Sequence, residues 1–164
     1  MTAALYASIW ISLALFAAGL TPRRRHVAED APGWRWYAYA TGAALCAIHV
    51  LVAMSGTHRW SHQAAVDETA ARSAQVYGFG WGGGIYVNYA FVLVWIGEVV
   101  WWRGWPDSYA TRGRVVTWSM SVFYLVVVLN AAIVFASPAG RIAGSTLMAW
   151  LIGSALVGRR YSRT

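Results

Sequence analysis

His58 and His62 stand four residues apart, a spacing that puts both on one face of a helix. Two imidazoles so placed suit one transition-metal ion, and the metals expected are copper, zinc or iron. His49 lies in the apolar run just before them, roughly 21 Å above Arg35 at helical rise. Asp67, with Glu68 beside it, offers a carboxylate ligand. The expected metal set is therefore His49, His58, His62 and Asp67. Asn88, with Tyr86 and Tyr89, opens the next apolar run at a similar depth and is a further candidate. The plainer alternative leaves His58 and His62 as surface residues and gives His49 a hydrogen bond to nearby backbone or to Asn130.

Glu98 is the one acid inside an apolar run. A carboxyl group there is costly, so it is a functional candidate. One assignment is proton or ion coupling. The other, favoured because Glu98 sits only about 6 Å from the end of its run at Trp102, pairs it with Arg103, Arg112 or Arg114, or with a tryptophan N–H. A proton path would need polar side chains on other runs, and Ser119, Ser121, Asn130, Ser145 and Thr146 are the ones available. Cys46 and His49 share a helix face, yet a lone cysteine more often fills space as a small hydrophobe. The glycine run from Gly78 to Gly84 lacks the Lys-Ser/Thr of a phosphate loop, so a nucleotide site is not expected. No Ser-His-Asp set and no HExxH motif is present.

The elements that position these residues follow from composition. Only 12% of the chain is charged, against about 25% in soluble domains, and mean hydropathy is +0.46. The surface this chain can offer suits lipid better than water. The pattern predicts a single all-α integral membrane domain over residues 1–164, with five transmembrane helices at about 3–20, 35–54, 85–102, 115–136 and 142–158. The long loop 55–84 between the second and third is expected to carry an interfacial helix from Arg59 to Val76, with its alanines and Trp60 on the membrane and Asp67, Glu68 and Arg72 toward water. Glycines at 78–84 then let the chain turn back. Gly140, Gly144, Ala149 and Gly153 give the fifth run a small-residue packing stripe.

All thirteen basic residues are arginine. With the N-terminus outside, ten of them (Arg23, Arg24, Arg25, Arg35, Arg103, Arg112, Arg114, Arg159, Arg160 and Arg163) fall on the inner side. Arg59, Arg72 and Arg141 fall on the outer. That bias predicts an odd number of crossings. Because the first arginines follow the first apolar run instead of preceding it, the run reads as a retained helix and not as a secretory signal. The location expected is a cell inner (plasma) membrane, with the C-terminus cytoplasmic. The net charge of +7 is accounted for by orientation and lipid headgroups, so nucleic acid is not an expected partner. The expected partners are the bilayer and other membrane subunits or a second copy of the chain. The leading functional expectation is a structural or accessory subunit of a membrane complex. The alternatives are a metal-binding membrane enzyme or redox subunit using the outer histidines, and a small proton- or ion-coupled transporter using Glu98.

Overall fold

Long runs of Ala, Val, Leu, Ile and aromatic residues without interior proline satisfy their backbone within the segment only as helices. The structure, a computed structural model, describes residues 3–20, 33–134, 140–142, 144–146 and 149, and these are helical with no strand among them. Helix α1 covers Ala3–Gly19 and α2 Trp34–Gly56. A loop helix, α3, covers His62–Tyr77, and α4 runs from Gly84 to Gly104. The short α5, Pro106–Ala110, precedes α6, Arg114–Leu129, which continues into a π-helical turn at Asn130–Val134. Among the described residues, three stretches are long and apolar enough to cross a membrane: Trp34–Gly56, Gly84–Gly104 and Arg114–Ala132. Helix α1 is apolar but shorter, at 17 residues. Most of the predicted fifth span, 142–158, lies outside the described residues, as do residues 21–32.

The helix ends have local causes. Ser61 caps α3, its hydroxyl accepting from the Ala64 N–H at 3.2 Å, as short polar side chains do at N-caps. Gly78 ends α3 in the left-handed conformation at φ 80°, which glycine alone adopts without strain. The turn from α2 into α3 passes through Arg59 and Trp60, both at positive φ (49° and 61°). Pro106 occupies the first turn of α5, where its missing N–H removes nothing. That short helix was not anticipated between the third and fourth spans.

α1 lies against α2 over most of its length. Small residues set the approach: a Cβ on Gly42 would meet the Ser12 carbonyl and Leu15 Cβ at 3.1 Å, and one on Gly19 would meet Tyr39 Cβ at 2.7 Å. Ser12 Oγ donates to the Gly42 carbonyl at 2.8 Å, across the same crossing. Interhelical contact in lipid relies on such close backbone approach. Here it is made by α1 and α2, and also by Gly144 of the fifth run's small-residue stripe, where a Cβ would meet Ala132 Cβ at 2.9 Å.

The core is aromatic. Phe16 meets the Trp95 ring edge-on at 4.8 Å and Tyr124 at 5.2 Å. Phe91 is perpendicular to Tyr124, at 5.7 Å. Perpendicular and tilted pairs of this kind match the ring quadrupoles. Leu13, Cys46, Val127 and Val128 fill around them. The large apolar side chains left exposed, among them Trp34, Leu51, Leu93, Val115 and Trp118, are spread over α2, α4 and α6, as expected of helices that face lipid.

Candidate functional site

Polar side chains gather at two levels of this bundle. The level nearer α5 is built on Glu98, which is 4% exposed. Its Oε2 accepts from the Tyr39 hydroxyl at 2.6 Å and from the Tyr124 hydroxyl at 2.8 Å. Its Oε1 accepts from Tyr109 at 2.8 Å and lies 4.0 Å from Arg112 Nη2. Arg112 also stacks over the Tyr109 ring, 3.9 Å from its centroid, a favourable cation–π placement. Tyr109 is sandwiched further by Trp102, parallel at 5.3 Å. Nearby, Trp36 Nε1 donates to the Val99 carbonyl at 3.2 Å. Burial, and next the negative charge of Glu98, raise the Tyr109 phenol pKa above its ordinary value, so it stays a donor.

Of the partners expected for Glu98, the structure supplies Arg112. The three phenols were missed. They come from α2, α5 and α6, separated from Glu98 by 59, 11 and 26 residues, and no spacing in the chain announces them. None of Ser119, Ser121 or Asn130 is a partner of Glu98; Ser121 instead bonds the Thr117 carbonyl within its own helix, at 2.7 Å.

The level under α3 is different. A cavity of about 530 Å³ opens between α1, α2, α4 and α6 with α3 across it. Ile9, Leu13, Val50, Phe91, Val92 and Val127 make its apolar part. His49, His58, Glu68, Arg72, Asn88 and Asn130 border it with polar groups. The position of α3 is fixed by the glycine run. A Cβ on Gly82 would meet Val66 Cγ1 at 2.6 Å and the Val66 carbonyl at 2.9 Å, and one on Gly84 would meet Thr69 Cγ2 at 3.0 Å. Ser73 Oγ, buried, donates to the Trp81 carbonyl at 3.0 Å. Held in this way, α3 turns Glu68, Thr69, Arg72 and Tyr77 toward the cavity. Glu68 and Arg72 border the cavity while staying exposed, in keeping with the expectation that they face water. The rotation follows from the docking of Ala65, Val66 and Ser73 on the glycine run, which has no counterpart in α3's own sequence pattern.

The four residues of the expected metal set take four different partners, although His49 and His58 border the same cavity. His49 Nδ1 lies 3.0 Å from Ser8 Oγ on α1, and Asn130 bonds Tyr77 and the Val126 carbonyl instead. The Ser8 hydroxyl proton is directed at the Leu5 carbonyl, 2.9 Å away. His58 Nδ1 is 3.7 Å from Glu68 Oε2. His62 leaves the cavity and lies between Tyr86 OH at 3.0 Å and Tyr89 OH at 3.4 Å, tying the start of α3 to α4. Asp67 is on the outer face of α3 and accepts from Gln63 at 2.8 Å. Among the described residues, no group of three or more His, Cys, Asp or Glu side chains is placed to hold a metal ion.

The remaining polar groups of the cavity divide into paired and unpaired. Asn130 accepts from the Tyr77 hydroxyl and donates to the Val126 carbonyl at 2.8 Å. Arg72 and Asn88 make no hydrogen bond or ion pair among the described residues. The chain matches no protein-family model, no curated protein and no solved structure.

Proposed function

We propose that this chain is an integral membrane protein that binds one amphiphilic small molecule in the cavity beneath α3. One observation carries this reading: a cavity of about 530 Å³ whose walls are apolar toward the bundle core and which is bordered by the Arg72 guanidinium of α3 and the Asn88 amide of α4, neither paired among the described residues. Pockets of roughly 300–1,000 Å³ with mainly apolar walls and a few convergent polar groups are the usual form of small-molecule sites. The apolar walls suit a hydrocarbon tail. Arg72 and Asn88 offer donors to a head group at the membrane surface.

The arginine bias supports an arrangement with α3 on the outer side of a plasma membrane and α5 on the cytoplasmic side. On that map residues 142–158 make the fifth crossing and α3 lies at the outer interface. An accessory role in a larger membrane assembly accommodates the same cavity, because a held amphiphile can be shared with a neighbouring subunit. The dispersal of His49, His58, His62 and Asp67 gives a metal centre no support, and the closed shell around Glu98 gives proton coupling none.

The test is displacement of a fluorescent single-chain amphiphile from the protein in mild detergent. Wild type is expected to bind one probe per chain, saturably. Val50→Trp and Val92→Trp, which fill the cavity, are expected to abolish binding while leaving the unfolding midpoint within a few degrees. Absence of saturable binding by wild type, or binding unchanged in both filled variants, removes the proposal.

A further inference from the structure

We propose that the head group of this amphiphile is zwitterionic, a phosphate and an ammonium joined by a short bridge, on a single acyl chain. The proposal rests on the cavity reading above and adds the identity of the head. The charged groups that face the cavity are few. Helix α3 contributes Glu68 and Arg72, four residues apart, and the segment after α2 contributes His58. Helix α2 contributes His49, α4 contributes Asn88 and Tyr89, and α6 contributes Asn130. The walls thus carry one permanent cation and one carboxylate, a helical turn apart. Side chains at this spacing stand roughly 5–6 Å apart at Cβ.

Glu68 and Arg72 do not pair with each other within 4.0 Å; the carboxylate instead lies 3.7 Å from the His58 ring. A simple anion drawn to Arg72 would sit beside the Glu68 carboxylate and be repelled. A simple cation drawn to Glu68 would meet Arg72. A head with both signs satisfies both, its phosphate on the planar guanidinium fork and its ammonium against Glu68. Asn88, unpaired among the described residues, adds an amide donor for the phosphate ester oxygens. The size selects one chain: about 530 Å³ is room for one drug-sized molecule and not for two acyl chains.

The experiment uses the full chain in a maltoside detergent and three competitors of equal tail length. They are a lysophosphatidylethanolamine, a fatty acid carboxylate and an alkyl trimethylammonium, each displacing the same fluorescent amphiphile. The lysophospholipid is expected to compete about tenfold better than either singly charged probe. Arg72→Gln is expected to weaken the lysophospholipid about tenfold and to strengthen the ammonium probe. Glu68→Gln should weaken the lysophospholipid and strengthen the fatty acid. Arg72→Lys, which keeps the charge, should recover part of the loss. Equal competition by all three probes, or lysophospholipid binding unchanged in both glutamine variants, overturns the head-group assignment. If Val50→Trp still abolishes that binding, the cavity reading survives the loss. If no probe binds saturably, both fall together.

Discussion

At the α5 end, α2, α4, α5 and α6 bring three phenols and a guanidinium onto one carboxylate. At the α3 end, a guanidinium and an amide border a cavity of about 530 Å³ without partners among the described residues. Asn88 and Glu98 belong to the same helix, about 15 Å apart along its axis. In the low-dielectric surroundings of buried Glu98 a satisfied polar group is rigid, whereas Arg72 and Asn88 are exposed and keep their donors free. At the first centre the Glu98 carboxylate accepts from three phenols and fixes helices to one another, and Arg112 Nε is left buried without a partner among the described residues. The second has kept some of its capacity for something outside the chain. The contrast separates a structural centre from a binding centre more clearly than the residue types do, since both contain an arginine and a glutamate.

Variants at the two ends should therefore fail in different ways. The largest effect is expected for Glu98→Ala, which leaves the buried Tyr39 and Tyr124 phenols, the half-buried Tyr109 phenol and Arg112 without their acceptor. Its unfolding free energy in detergent should fall by about 3–5 kcal/mol, while the fraction that remains folded keeps its amphiphile affinity. A loss of affinity with little change in stability would reverse the roles assigned to the two centres.

Gly82→Val comes next and acts at the other end. Its side chain would strike the Val66 carbonyl, so α3 must move, at a cost of about 1–3 kcal/mol. Amphiphile binding should fall by much more than that stability change implies, as read by probe displacement beside thermal unfolding. Retained binding would mean that α3 takes no part in the site.

Tyr109→Phe removes one of the three phenol hydroxyls and should cost about 1–2 kcal/mol, between the range for hydrogen bonds to charged groups and the lower averages measured in membranes. Binding should not change. The same residue sets a pH window. Its pKa is raised in the folded chain, so above the ordinary phenol value of about 10 the folded state holds a proton that the unfolded state has lost. Stability from Tyr109 is complete below that pH and declines above it. Unfolding midpoints between pH 8 and 11 should show the gap between wild type and Tyr109→Phe narrowing at the alkaline end; a gap that widens there contradicts the burial described.

The smallest effect is expected in the turn that carries the chain from α2 into α3. Arg59 has φ 49°, a conformation asparagine adopts more readily than arginine. Arg59→Asn should stabilise by up to about 1 kcal/mol, measurable as a rise in unfolding midpoint, with binding unaltered. A fall would show that the arginine side chain, and not the backbone, governs the turn.

Much of the framework was legible in the residues. Apolar runs without breakers make helices of membrane length wherever they occur, and Ser61 and Gly78 bound α3 through contacts within four residues of themselves. Pairing of Glu98 with an arginine near the helix end was also foreseeable, because few cations are within reach. These are properties of near neighbours in the chain, and hydropathy and capping report near neighbours. The phenols of Tyr39 and Tyr124 reach Glu98 only because Gly42 admits the Trp95 ring and lets α2, α4 and the aromatic core close. The turning of Arg72 toward the cavity depends on how α3 seats on Gly82 and Gly84. Alanines are scattered around α3, so its sequence has no dominant apolar stripe to choose a face. The rotation of a helix about its own axis is decided by what it touches, and that contact existed only once the chain had folded.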